Sequence, residues 1–243
     1  MYKHVALLVR QDGLTHDEFR ERWLDGHAPL ARDIEGVVRY HTVVPTDPEA
    51  SEFDGIAELY FESLADLHDA LGSPGSRDSD PTKEVAATAR EDVDDFLAVD
   101  GRPRFIGEEV VQKDETGGDT DGLYKHSAFL VRKEGMSHGS FRDYWQTEHT
   151  PLARDIEGVV RYHTVYPTDP EAAEFDGVAE LYFETLEELH DALGSPGSRD
   201  YDPTKEVAAK AREDVDNFLA VEERPRFIGR ETVQLDETDA EGY

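Results

Sequence analysis

The chain has 243 residues, with 56 Asp plus Glu against 25 Lys plus Arg, a formal net charge of −31 and 37% hydrophobic residues. So acidic a surface repels nucleic-acid phosphates and anionic lipid, and neither is an expected partner. The absence of cysteine excludes disulfides, thiolate metal sites and a Cys nucleophile.

The opening MYKHVALLVRQ holds no apolar stretch long enough for a signal peptide, and no run suits a membrane span, so a soluble, cytoplasmic protein is expected. The carboxylates are spread along periodic segments and read as solvated helix faces rather than a disordered tail. We expect a halophilic protein. Dense carboxylates hold hydration, and their repulsion is screened when the Debye length shrinks to about 3 Å at 1 M salt.

In chain order, Lys3 to Arg10 reads as a strand ending at the turn Gln11-Asp12-Gly13. Thr15-His16-Asp17-Glu18 is a capping box opening a helix with Phe19, Trp23, Leu30 and Ile34 at helical spacing. Pro29 has no N–H to give the carbonyl four residues earlier, which predicts a kink around Asp25 to Ala28. Val37 to Val44 and Gly55 to Glu62 read as strands, and Ser63-Leu64-Ala65-Asp66 caps a helix burying Leu64, Leu67 and Leu71. After the loop Gly72-Ser73-Pro74-Gly75-Ser76, Asp80 and Pro81 look like the N-cap and first turn of a third helix burying Val85, Ala89, Val93, Phe96 and Leu97. Arg104 to Gln112 is the last strand. The order β-α-β-β-α-α-β predicts an α+β, ferredoxin-like unit: a four-stranded antiparallel sheet with helices on one face.

This unit occurs twice. Tyr2 to Thr116 returns as Tyr124 to Thr238 without insertion or deletion, and about three quarters of the paired positions are identical. The domains are read as residues 1–113 and 123–236, with an acidic Gly-rich linker at 114–122 and a flexible tail at 237–243. Strand one carries Val5, Leu7 and Val9 on one side and His4, Ala6 and Leu8 on the other, so both faces need cover. The sheet of the other copy, packed face to face, is the expected one, making an intrachain pseudo-dimer; further homo-oligomerisation stays open.

The copies differ most between Gln11 and Ala28. Besides Gly13, the positions unchanged there are His16, Phe19, Arg20, Trp23 and His27, a stripe at helical spacing. His27 has two readings: a buried histidine bonded to a carbonyl freed at the kink, or a general acid-base beside Trp23, with His149 and Trp145 as the second set. His16 and Arg20 are expected at an edge, in contact with carboxylates. Strand two brings Arg39-Tyr40-His41, where alternation lets only one of Tyr40 and His41 share a cavity with His27. Tyr40 is also readable as a core aromatic. His4, Glu58 and Tyr60 are candidate pocket residues, as are His126, His163, Glu180 and Tyr182 in the second copy, though Glu58 could instead pair with an arginine. No Gly-rich phosphate loop, HExxH or GxSxG occurs, and no cofactor or metal is expected. The Gly-Ser-Pro-Gly-Ser-Arg segment reads as a plain loop more readily than as an anion nest.

Trp23 leading to His27-Ala28-Pro29-Leu30, then Val37-Val38-Arg39-Tyr40 and Asp54-Gly55-Ile56-Ala57-Glu58-Leu59, resembles the EthD domain of the dimeric α/β-barrel superfamily. In the second copy Phe141-Arg142-Asp143-Tyr144-Trp145 leads to His149-Thr150-Pro151-Leu152. The resemblance implies a barrel of two ferredoxin-like units with helices outside and a pocket in each half. It also implies the chemistry of relatives: polyketide cyclases and dehydratases, muconolactone-type isomerases, cofactor-free monooxygenases, or accessory proteins of an ether-degrading oxygenase. Isomerase-like relatives use a helix histidine and a strand-two tyrosine, roles that would fall on His27 and Tyr40, and on His149 and Tyr162. The expected function is therefore cofactor-independent proton transfer on a small carbonyl or aromatic ligand. The alternatives are a non-catalytic binding or accessory protein, and a closed interior without a cavity.

Overall fold

The computed structural model describes residues 1–72, 83–98, 103–196, 204–220 and 224–238. The first repeat comprises β1 (Tyr2–Leu8), α1 (His16–Glu21), a π-helical turn (Arg22–His27), α2 (Ala28–Arg32), β2 (Arg39–Pro45), β3 (Gly55–Phe61), α3 (Leu64–Leu71), α4 (Glu84–Asp92) with a 3-10 turn (Val93–Asp95), and β4 (Arg104–Asp114). The second comprises β5 (Tyr124–Leu130), α5 (His138–Tyr144), a π-helical turn (Trp145–His149), α6 (Thr150–Arg154), β6 (Val159–Pro167), β7 (Gly177–Phe183), α7 (Leu186–Leu193), α8 (Glu206–Phe218) and β8 (Arg226–Asp236). The caps follow the sequence: Thr15 and Glu18 close a reciprocal capping box, and Ser63 accepts from the Asp66 amide. Asp80 and Pro81 lie outside the described residues, as does most of the Gly72–Arg77 loop; the third helix is described from Glu84.

All strand pairs are antiparallel, and each repeat orders its strands as expected for a ferredoxin-like unit, β4-β1-β3-β2 and β8-β5-β7-β6. The two sheets also hydrogen-bond edge to edge, β2 to β8 and β4 to β6, closing one eight-stranded barrel. Closure leaves no open strand edge, and it relies on β4 and β8 being long enough to serve both sheets. The proposed domain limit at residue 113 thus falls inside β4, whose Asp114 pairs with Arg161.

The Gly-rich connection is hydrogen-bonded to the barrel near both of its ends. Glu115 N–H donates to Val160 O, Gly122 N–H to Glu231 O, and Thr120 is buried. The tail starts the same way, with Glu237 N–H on Val38 O and Thr238 Oγ1 accepting from Arg39 at 2.7 Å; residues 239–243 lie outside the described ones.

Alternation sorts the side chains into two compartments. Outward residues meet the helices, where Ala28, Ala31, Tyr40, Phe61 and Leu67 form part of one repeat's core. Inward residues fill the barrel. One zone is apolar, built from Val5, Leu7, Val43, Ile56 and Phe105 of the first repeat and Phe129, Val165, Val178 and Phe227 of the second, with Phe53 and Phe175. The other zone is charged: Lys3, Lys125, Glu58, Glu180 and Glu231 are all fully buried.

Candidate functional site

The expected kink is a π-helical turn. Ala28 N–H reaches back to Trp23 O, and Thr150 N–H to Trp145 O, five residues rather than four. Because Pro29 offers no N–H, widening the preceding turn keeps that turn's carbonyls bonded without breaking the helix. Trp23 and His27 sit near its two ends and both line one cavity between helices and sheet. Trp23 seats against Gly55, where a Cβ would come within 2.5 Å of the indole; Gly177 gives Trp145 the same room.

Each repeat holds one such cavity, about 810 Å³ in the first and about 710 Å³ in the second, open mouth included. Ala6, Leu8, Ala57, Leu59 and Phe96 make the first mostly apolar, with His4, Arg90 and Arg104 as further polar contributors. The closed-interior alternative thus does not describe this protein.

His27 Nδ1 lies 2.9 Å from Asp92 Oδ2, and His149 Nδ1 lies 2.9 Å from Asp214 Oδ2. The partner is a carboxylate from the third helix of the repeat, not the backbone carbonyl that the kink suggested. Asp92 also accepts from Arg22, and Asp214 from Tyr144 at 2.7 Å and Asn217 at 3.0 Å. Position 22 and its counterpart 144 have therefore drifted in identity while both still donate to the carboxylate that holds the histidine. Burial of the two carboxylates would raise their pKa, but hydrogen bonds from Arg22 and His27, and from Tyr144, Asn217 and His149, hold both below the ordinary range. Burial lowers His149, an effect that outweighs the attraction of Asp214.

Not every residue read from sequence meets at this cavity. His4 and Trp23, with His126 and Trp145, line it. Tyr40 and Tyr162 stand behind the indoles: Trp23 Nε1 donates to Tyr40 Oη at 3.3 Å, and Trp145 Nε1 to Tyr162 Oη at 3.2 Å. Burial pushes both phenols well above their ordinary pKa. Neither tyrosine lines a cavity. His16 takes its expected edge place, with Nδ1 3.0 Å from Asp54, whereas Arg20 is exposed.

His41, Glu58 and Tyr60, with His163, Glu180 and Tyr182, need correction as pocket residues, since their strand positions point them into the barrel. Glu58 pairs with a lysine of the other repeat, not an arginine. Lys125 Nζ lies 2.7 Å from Glu58 and 3.0 Å from Glu231; Lys3 Nζ lies 2.6 Å from Glu180 and 3.2 Å from Glu109. His41 stands 3.0 Å from Glu231 and His163 3.2 Å from Glu109. His41 with Glu58 and Glu231, and His163 with Glu109 and Glu180, converge as metal ligands would, but in each set a lysine ammonium already lies against the carboxylates.

Sequence reasoning missed Lys3, Lys125, Glu109 and Glu231, as well as Asp92 and Asp214. Extending the Val5-Leu7 alternation back two residues puts Lys3 inside the barrel, a signal that was present. Asp92 carried none, because one more carboxylate on an acidic helix looks like solvated surface.

A family model described as the EthD domain matches residues 11–100 and again residues 133–222. Among solved structures, an anthrone oxidase-like protein aligns over 99% of this chain and 96% of its own, at 11% identity and a TM-score of 0.63. A mutant chlorite dismutase from Candidatus Nitrospira defluvii aligns over 95% of this chain and 91% of its own, at 12% identity and a TM-score of 0.55. At such identities the likeness is one of fold. No sequence among the curated proteins matches this chain.

Proposed function

The chain belongs to the EthD domain family in both of its halves, and from that premise we propose that it is a small-molecule enzyme performing cofactor-independent proton transfer on a small carbonyl or aromatic compound. The reaction class would be isomerisation, cyclisation or dehydration. The observation that carries this reading is the His27–Asp92 pair at an apolar cavity, repeated as His149–Asp214.

An ionised carboxylate only accepts hydrogen bonds, so Nδ1 of each histidine carries its hydrogen and Nε2 is the basic nitrogen. A carboxylate on Nδ1 fixes the ring, holds that tautomer and stabilises the imidazolium formed when Nε2 takes a proton. The apolar walls would bind the body of the ligand and exclude water, and Trp23 and Trp145 would stack on it. Tyr40 and Tyr162 act as positioning residues through the indoles, rather than donating to an enolate oxygen as the family resemblance implied.

The test is deuterium exchange at the carbon next to a carbonyl. The protein is incubated in D₂O with acetophenone, phenylpyruvate and 1,3-cyclohexanedione, and loss of the α-proton signal is followed by NMR. Exchange above the buffer rate that disappears in His27→Gln/His149→Gln, with the melting temperature retained, supports the reading. Ligand binding without exchange, unaffected by that variant, favours the accessory-protein alternative.

A further inference from the structure

Resting on the proton-transfer reading of His27 and His149, we propose that the two sites take the same ligand with bases of unequal strength, His149 being the stronger. Arg22 and Tyr144 are the positioning residues that set the difference.

The cavities themselves match. Every residue that lines the first recurs unchanged at the matching position of the second, from His4 and His126 to Arg104 and Arg226. Burial alone does not enforce that identity. Buried Val5, Leu7 and Ile56 became Ser127, Phe129 and Val178 in the other copy, and buried Ala28 became Thr150. Walls kept whole while nearby core positions drifted fit one ligand bound twice.

The drift lies behind the histidine, and it is coordinated. Arg22 donates to Asp92 and stands 3.8 Å from Asp95. It also uses the bare backbone of Gly26, where a Cβ would collide with the guanidinium. In the second repeat all three positions have changed together, to Tyr144, Asn217 and Glu148. Tyr144 Oη donates to Asp214 at 2.7 Å and Asn217 Nδ2 at 3.0 Å. Arg22 and Tyr144 even pack on the same phenylalanine position, 5.4 Å from the Phe96 ring and 5.3 Å from the Phe218 ring. The donor to the carboxylate is retained, and its positive charge is gone.

Asp92 therefore divides its negative charge between an imidazole and a guanidinium, whereas the donors sharing Asp214 with His149 are neutral. An imidazolium at His27 forms near a like charge, which disfavours it; at His149 it does not meet that charge. The histidines otherwise match, each with Nδ1 2.9 Å from its carboxylate and each side chain 12% exposed. His4, Arg90 and Arg104 share the first cavity with His27; His126, Arg212 and Arg226 share the second with His149, together with Arg224, whose counterpart Arg102 lies outside the described residues. The remaining charges that differ, Asp25 and Asp95 in one repeat and Glu148 in the other, are exposed. Water and salt screen them, so they weigh less than a cation bonded to Asp92 itself. The weaker base keeps its imidazole free to lower pH, and the stronger takes a proton more readily at neutral pH.

The test is an NMR titration of the two imidazole rings in the whole protein without substrate, the signals being assigned with His27→Gln and His149→Gln. Wild type should show two separate titrations, that of His149 at the higher pH. Arg22→Tyr should shift the His27 titration upward, towards that of His149, and leave His149 in place. Arg22→Lys keeps the charge and should leave His27 near its wild-type position. The reverse graft, Tyr144→Arg/Glu148→Gly, should shift His149 downward. Coincident wild-type titrations, an unmoved His27 in folded Arg22→Tyr, or the same response to Tyr and Lys overturns the proposal. Should Arg22→Tyr fail to fold, the order of the wild-type titrations and the reverse graft decide the matter.

Failure here is distinct from failure of the proton-transfer reading, because the ring titrations are read whether or not deuterium exchange occurs. Where exchange is found, the acidic limb of its pH profile in His149→Gln, which leaves the first site, should lie at lower pH than in His27→Gln, which leaves the second.

Discussion

Lys3 Nζ lies 2.6 Å from Glu180 Oε2, so the first strand of one repeat is tied by a buried ion pair to the third strand of the other. Lys125 and Glu58 repeat the link in the opposite sense at 2.7 Å. Burial alone would lower the Lys3 pKa, but the attraction of Glu180, Glu58 and Glu109 outweighs it and raises the group. Removing one partner strands a charge in the barrel. Lys3→Met should therefore cost about 3–5 kcal/mol in chemical denaturation, and Lys3→Met/Glu180→Met should regain much of that loss. Equal stability of Lys3→Met and wild type would show that the pair contributes little.

The same network makes stability depend on pH. Four carboxylates, Glu58, Glu109, Glu180 and Glu231, face two ammoniums, and His163 stands 3.2 Å from Glu109 and 3.5 Å from Glu180. Burial opposes charging of His163, yet Glu109 and Glu180 raise its pKa above the ordinary 6.5. A raised folded-state pKa contributes stability that is complete below the unfolded value and lost as pH rises through the folded one. Wild-type melting temperature should thus fall as pH is raised above about 6.5, and His163→Gln should flatten that decline. A variant with the wild-type slope would exclude His163 as its source.

Asp214 opposes the lowering of His149. Taking it away as Asp214→Asn leaves burial, with the charge of Arg224, unopposed, so the pKa should drop further. An NMR titration of the His149 ring should show the drop directly, and the acidic limb of any exchange activity, where the base becomes protonated, should move to lower pH with it. A rise on substitution would contradict the assignment of Asp214 as the partner.

Gly55 is a matter of space. Its missing Cβ is what admits the Trp23 ring, so Gly55→Ala forces the indole out of its seat, at a cost of about 1–3 kcal/mol. The tryptophan emission maximum should shift to the red, and the Trp23–Tyr40 hydrogen bond should be lost. A folded Gly55→Ala protein with an unchanged spectrum would mean that the backbone yields instead.

Repulsion among the surface carboxylates should make the melting temperature climb with KCl, as the Debye length falls from about 10 Å at 0.1 M to about 3 Å at 1 M. A flat salt dependence would remove the halophilic expectation.

The repeat, the element order, the caps and the place of the kink were legible from sequence because each depends on residues a few positions apart: a Thr three before a Glu, a proline four after the carbonyl it cannot serve. Alternation likewise separated Tyr40 from His41. The sequence by itself thus determined two ferredoxin-like units and a helix face bearing Trp23 and His27. Only the tertiary structure decided which groups meet across long separations. It brought Asp92 to His27 over 65 positions and Glu180 to Lys3 over 177, sent Glu58 and His41 into a charged barrel interior, and gathered arginines from helix and strand around each cavity. Those pairings follow from barrel closure and helix packing, in which a side chain's partner is set by the path of the whole chain and leaves no local spacing to read.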